Sequence, residues 1–183
     1  MQDTSMLVFY DAGMRLIQGS GDLKGAIGPI VQLAAESGHS KSSSFYLLDH
    51  SQQVLKPLVT YGLPESYVRH CGFVPVGEQC CGRAVQNLKP FIVSNMLTDP
   101  AFASARRAAV ESPIRAAFSV PVIQNDLCIG SLACHYSEPF HAKSEDIDRN
   151  RIWANMLAHI ISVYTGTYHR NDANGQARGV PVE

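Results

Sequence analysis

Apolar residues recur along this chain with two different periods, and the switches between those periods outline its elements. Met6, Tyr10, Met14 and Ile17 fall at helical spacing and predict a first helix, which Gly19-Ser20-Gly21 ends. Leu23, Ile27, Val31 and Ala34 share one face of a second helix, from about Asp22 to Glu36. Gly25, Gly28 and Pro29 weaken that helix, and Pro29 is expected to kink it. Strand-like runs then take over. Ser43 to Asp49 and Val54 to Tyr61 predict a hairpin across the polar turn His50-Ser51-Gln52-Gln53. Pro57 has no N–H to give to a ladder and belongs near an edge.

Shorter elements follow: a helix over Ser66 to His70, a strand over Phe73 to Gly77, a helix from about Cys80 to Asn87 and a strand over Pro90 to Ser94. Thr98-Asp99-Pro100 places a capping side chain before a proline, predicting a helix that runs to about Glu111. Ile114 to Ile123 and Leu127 to Tyr136 read as two long strands. The short turn Gln124-Asn125-Asp126 makes them antiparallel.

The last helix starts near Ser144, whose hydroxyl is placed to cap it, and Glu145 and Asp146 suit the positive end of its dipole. Ile152, Met156, Ile160 and Val163 form one apolar row, and Trp153, Leu157, Ile161 and Tyr164 an adjacent one. Two rows are wider than packing on one sheet face needs, so one is expected to meet a partner subunit. Trp153, Met156, Ile160 and Tyr164 are the candidates for that contact. From Thr165 onward the sequence is polar and aperiodic. The organisation read from this is an N-terminal helix over 1–21 available for a dimer contact, one domain over 22–166, and a disordered tail over 167–183. No internal repeat stands out. The order of elements predicts an α+β fold, with an antiparallel sheet of five or six strands and the terminal helices on one face.

Composition narrows the picture mainly by exclusion. With 183 residues, 45% hydrophobic and 17% charged, the chain suits one globular domain. A net charge of −1 offers no global field for nucleic acid or anionic lipid. No apolar run approaches the roughly 20 residues that span a bilayer, and the N-terminus lacks the pattern of a signal peptide, so a cytoplasmic location is expected. Five scattered cysteines argue against a disulfide framework. His70, Cys71, Cys80 and Cys81 crowd four soft ligands into twelve residues, but each pair is adjacent and points apart, so no metal site is expected. There is no Gly-rich nucleotide loop, metalloprotease pair or nucleophile elbow, and Ser119-Val120-Pro121 has no base at useful spacing.

Three segments in order resemble the GAF family of sensory domains. SSFYLLDHSQQVLKPLVTYGLPESY looks like its opening hairpin, with the Gly-Leu-Pro-Glu hinge at Gly62 to Glu65. VPVGEQCCGRAVQNLKPFIVSNMLTDPAF looks like its central segment, with Cys81-Gly82-Arg83-Ala84-Val85 and Thr98-Asp99-Pro100-Ala101-Phe102. IRAAFSVPVIQNDLCIGSLACHYSEPF resembles its closing strands, with Ser119, Pro121, Gly130 and Leu132 at family positions.

The resemblance implies a PAS-related antiparallel sheet with terminal helices on one face. On the other it implies a ligand pocket roofed by about Tyr61 to Glu111. It also implies a non-catalytic, small-molecule-sensing domain of a bacterial signal-transduction protein. Such a domain forms a homodimer and relays ligand or redox state through its terminal helices to a kinase, cyclase or transcription module.

Within that frame Tyr61, His70, Arg83, Arg106, Phe118, Ser119 and Cys134 are the candidate ligand contacts. Arg83, Arg106 and Arg107 carry forks suited to a carboxylate or phosphate. Cys80 and Cys81 open a helix, where a thiol pKa is often lowered, and are the candidate redox pair. Free methionine-sulfoxide reductase shares the fold, and Cys81 matches its resolving thiol. The stretch that should hold the attacking cysteine, Asp99 to Ala105, contains none. Cys134-His135 has the composition of a bilin anchor but lies in the wrong strand, and in a strand the two face opposite sides. No cofactor is required, and neither haem nor covalent bilin is expected. A ligand-free dimerisation module is the remaining alternative.

Overall fold

The computed structural model describes residues 22–171, with side chains to residue 166. The helix expected from Asp22 forms as α1, Leu23–Ser37, and Asp22 caps it by accepting from the Gly25 amide at 2.6 Å. Pro29 sits inside α1 on its exposed side without ending it. The carbonyl left unpaired by its ring belongs to the exposed Gly25, where water can reach it.

The hairpin forms as β1, Ser42–Asp49, and β2, Val54–Tyr61. Their register slips between Phe45 and Tyr46, so that Phe45 pairs with Val59 and Tyr46 with Pro57. Leu58 is the extra residue of that bulge. The next strand, β3, is only Val74–Pro75 and pairs with Val54 and Leu55, leaving the outer side of Pro57 without a ladder partner. Between them lies α2, Glu65–Cys71, and after them α3, Gln79–Asn87, and β4, Phe91–Val93.

The single helix expected from Pro100 to Glu111 divides into a 3-10 turn, Pro100–Ala105, and α4, Arg106–Val110. Asp99 caps the turn by accepting from Ala101 N–H at 2.9 Å. Phe102 and Ala105 from the turn and Ala108 and Ala109 from α4 all reach one core. β5, Ala116–Gln124, and β6, Leu127–Tyr136, meet through Asn125 and Asp126, both at positive φ, the geometry that a two-residue hairpin turn demands.

The last helix, α5, runs Ser144–Asn171. Its start is secured by Asp146, whose carboxylate accepts from Lys143 N–H at 2.9 Å, rather than by the Ser144 hydroxyl. It continues past residue 166, where the polar sequence predicts an end. Thr165 is held in the helix by its own hydroxyl, which bonds back to Ile161 O at 3.0 Å and Ser162 O at 3.1 Å. The predicted helix over 1–21 and residues 172–183 of the predicted tail lie outside the described residues.

All six strands are antiparallel, in the order β3-β2-β1-β6-β5-β4. Side-chain alternation gives the sheet two faces. Phe45, Phe118, Val120, Leu132 and Cys134 point to one side and pack under α1 and α5. Tyr46, Leu48, Ala117, Ala133 and His135 point to the other, under a roof of α2, α3, the 3-10 turn and α4.

Candidate functional site

Between the sheet and this roof lies a cavity with room for the centre of one water molecule, about 10 Å³. Tyr46, Ala117 and His135 form its floor, and Tyr67, Cys71, Val74, Gln79, Cys80, Cys81 and Phe102 its walls and ceiling. His135 dominates the polar character. It is 3% exposed, and its ring meets that of Tyr67 edge-on with centroids 5.3 Å apart. Its Nε2 lies 3.0 Å from Ser44 Oγ, and its Nδ1 is buried with no partner among the described residues. Burial pushes the imidazole down to about 3, so it is neutral across the physiological range. Ser42, opposite His135 in the β1–β6 ladder, carries a second buried hydroxyl without a partner.

The thiols here are protected. Cys80 Sγ reaches Phe91 O at 3.2 Å and Ala117 O at 3.3 Å, and Cys81 Sγ lies 3.3 Å from Ser119 Oγ. Burial raises all three cavity thiols, Cys71 to about 12, with Cys80 and Cys81 raised as well. The helix-start argument for a lowered Cys80 or Cys81 pKa is thereby overridden, because desolvation of a thiolate outweighs a weak dipole. Iodoacetamide at pH 8 is expected to leave Cys71, Cys80, Cys81 and Cys134 unmodified in the folded protein over hours. Cys128, at 8% the most exposed of the five, reacts first. Peptide mass mapping reads this, and rapid native labelling of Cys80 or Cys81 would contradict their placement.

The other residues singled out by sequence are dispersed. Ser119 faces the roof beside Cys81, but its neighbour Phe118 and Phe118's cross-strand partner Cys134 are buried on the helix face. Tyr61 also packs against the helix-side core. Phe118, Cys134 and Tyr61 are therefore corrected out of the cavity: residues adjacent in a strand cannot both line one pocket. Arg83 stacks its guanidinium 5.8 Å from the Phe91 ring centroid, Arg106 donates to Asp99 O at 3.1 Å, and the exposed Arg107 pairs with Glu111. None of the three lines the cavity. Of the four residues expected at a dimer contact, Trp153 and Ile160 are buried under their own sheet, at 6% and 0% exposure. Met156 and Tyr164 are only half-buried. Trp153 and Ile160 are thus spent on the domain's own core, since the curved sheet and α1 together cover more of α5 than a flat face would.

His135, Tyr46, Tyr67 and Ser44 were missed as site residues. The signal was available: Ser119 faces the roof and pairs with Ala133, and His135 lies two residues farther along β6 on that same face, while Cys134 between them faces the helices. Among the described residues no cluster of three or more His, Cys, Asp or Glu could hold a metal ion.

The roof is latched from outside. His70 Nε2 on α2 lies 2.7 Å from Glu111 Oε2, Arg107 bonds the other carboxylate oxygen, and Ser66 Oγ donates to Glu111 O at 3.3 Å. Within the fold, Tyr46 donates its hydroxyl to Cys71 O at 2.8 Å. The hydrogen bonds from Arg107 and then His70 hold the Glu111 carboxyl below its usual range. A depressed carboxylate contributes above its unfolded value, about 4, and is lost as pH falls through the folded one. Glu111→Gln is therefore expected to lower the amide protection factors of α2 at pH 7, each corrected for the intrinsic exchange rate at its pH, to those that the unaltered protein shows only below about pH 4. Unchanged protection would mean that the latch does not hold the roof.

An antiparallel sheet with paired terminal helices on one face and a small chamber under a helical roof on the other is an α+β architecture shared by many known domains. The model of one family, the GAF domain, matches residues 22–162, and the chain belongs to that family. Comparison with curated protein sequences gave no match. Solved structures share the fold. A domain of a protein described as a two-component sensor histidine kinase of Sinorhizobium meliloti superposes with a TM-score of 0.70 at 19% identity, over 84% of this chain and 100% of its own. The GAF domain of an Acinetobacter phosphoenolpyruvate-protein phosphotransferase gives 0.68 at 17%, over 92% and 99%. Free methionine-R-sulfoxide reductase of Neisseria meningitidis, solved with its substrate, gives 0.67 at 17%, over 86% and 90%. No helix among the described residues is long and apolar enough to cross a membrane.

Proposed function

We propose that this GAF domain is the small-molecule receptor of a cytoplasmic bacterial signalling protein. It works as a homodimer whose terminal helices pass the signal to an output partner such as a kinase, cyclase or transcription module. The observation that supports this best is the small cavity between sheet and roof, lined by His135, whose buried Nδ1 has no partner among the described residues. A buried polar atom without a partner costs stability, and a site that keeps one is poised to gain from a ligand that completes it. The family and the sensor-kinase neighbour favour signalling over catalysis. The reductase neighbour favours the enzymatic alternative only at the level of fold. The segment Asp99 to Ala105 holds no attacking cysteine, and the Cys81 thiol is buried and raised.

Signal transfer needs a ligand that binds one arrangement of sheet and helices better than another. β1 and β6 carry His135 and Ser44 on the roof face, and Phe45 and Cys134 on the face where α1 and α5 pack, so one strand pair touches both ligand and helices. Native mass spectrometry of the full chain after mild purification is the test. A mass excess of a few hundred daltons or less is expected. In a metabolite screen a ligand at a hundred times its Kd adds about 2.7 kcal/mol of stability, a rise of about 5–10 °C in Tm. An apo mass together with a flat screen would overturn the receptor reading.

A further inference from the structure

The polar atoms around His135 define what the cavity can accept, given that it is the receptor site. Ser44 has one proton to donate, and the only acceptor within reach of its Oγ among the described residues is His135 Nε2 at 3.0 Å. If Nε2 carried the ring proton instead, Ser44 O–H and His135 Nδ1 would both be left unsatisfied in a buried site. Hydrogen-bond balance therefore makes Nε2 the acceptor and Nδ1 the N–H donor. That donor is the atom without a partner. His135, a lining residue of the chamber, thus carries one buried N–H without a partner among the described residues, and the Ser42 hydroxyl lies on the same sheet face.

The rest of the lining has no charge to offer. Tyr46, Tyr67 and Phe102 give aromatic walls, with the Tyr46 hydroxyl already donated to Cys71 O; Cys71, Cys80 and Cys81 give thiols, and Gln79, held at positive φ, adds an amide. No Lys, Arg, Asp or Glu lines the cavity. An anion entering would surrender its hydration and meet no cation, and a cation would meet no carboxylate.

We infer that the cavity takes a small uncharged molecule with an apolar body and one hydrogen-bond acceptor, an amide or ketone carbonyl or an aromatic ring nitrogen, which accepts from His135 Nδ1–H. Anything larger than one water enters by displacing Tyr67 and the short helix α2 above it. The aromatic walls then clasp the apolar body, and His135 fixes its orientation. Phosphorylated nucleotides and free carboxylic acids are excluded as ligands of this chamber.

The test compares amide and carboxylate pairs of one shape, isobutyramide with isobutyrate and benzamide with benzoate, on the full chain labelled with 15N-histidine. The His135 ring nitrogens are expected to report the Nδ1–H tautomer before any addition. Nδ1 should then move saturably with the amide of at least one pair, at a Kd at least tenfold lower than for its carboxylate. In thermal shift, His135→Leu loses the response to that amide. His135→Asn, which returns an amide N–H near the Nδ1 position, retains part of it. Where the leucine variant does not fold, the pairwise comparison on the unaltered chain still decides. Equal or tighter binding of the carboxylate overturns the inference and leaves the receptor reading standing. No saturable response from either pair, with Nδ1–H in contact only with an exchanging water, also overturns it. The receptor reading then stands or falls separately on the metabolite screen.

Discussion

Replacing Gly82 with alanine is expected to destabilise the domain by about 3 kcal/mol, although the substitution lies inside a helix, where alanine gains about 1 kcal/mol over glycine. A Cβ at this position would stand 2.2 Å from Pro75 O and 3.2 Å from Gly77 N. Both neighbours are backbone atoms, and Gly77 N–H already donates to Gly82 O at 2.9 Å, so nothing at the contact can rotate aside. α3 must move away from β3, taking Cys80 and Cys81 with it and opening the cavity's ceiling. Urea denaturation followed by circular dichroism reads the loss, with a fall of about 6–12 °C in Tm. A neutral or stabilised variant would mean that α3 does not approach the strand this closely.

Ile160→Asp is expected to prevent folding altogether. Ile160 is fully buried among the apolar side chains of α1, the sheet and its own helix. The loss of its packing costs about 2–5 kcal/mol, and the unpaired carboxylate adds a desolvation penalty of similar size or larger. Together these approach the whole stability of an ordinary domain, about 5–15 kcal/mol. Circular dichroism and size-exclusion chromatography at 25 °C should show an unfolded or aggregated chain. Ile152→Asp, on the same sequence row but 59% exposed, should fold as the unaltered protein does. A folded monomer from Ile160→Asp would instead place that residue at a subunit contact.

The contrast between Ile152 and Ile160 shows where the sequence stops being informative. Periodicity located α1, both hairpins and α5 to within a residue or two of most ends, because each has a strong apolar stripe or a turn that few residues can make. It could not say which residues of the two apolar rows on α5 the domain keeps for itself, since Ile152 and Ile160 share a row and only Ile160 is buried. That depends on how far α1 and the curl of the sheet wrap around the helix, which no local pattern encodes. The 3-10 break at Ala105 was equally hidden, since alanine and serine carry no local signal for it.

The site was legible in part. Segments between Tyr61 and Glu111 do form a roof, Cys80 and Cys81 line the cavity as buried thiols, and Ser119 does face the roof. Strand parity settles the remainder. Phe118 with Ser119, and Cys134 with His135, are neighbours of which only one can line the cavity, and the residue types alone favoured the wrong member of the second pair. The arginines drew attention because they carry charge, yet a chamber without charge is what the packing of aromatic and thiol side chains leaves behind.

The chain holds one tryptophan, and its position makes the molecule its own optical reporter. Trp153 is nearly buried where α5 crosses the end of α1, with its indole N–H donating to Ser37 Oγ at 2.9 Å. Emission from a lone indole depends on its water exposure and on that single hydrogen bond, so a small slide between the two helices changes its wavelength and intensity. Fluorescence during a titration would therefore record whether occupancy of the chamber is felt on the far side of the sheet, without a label and at micromolar protein.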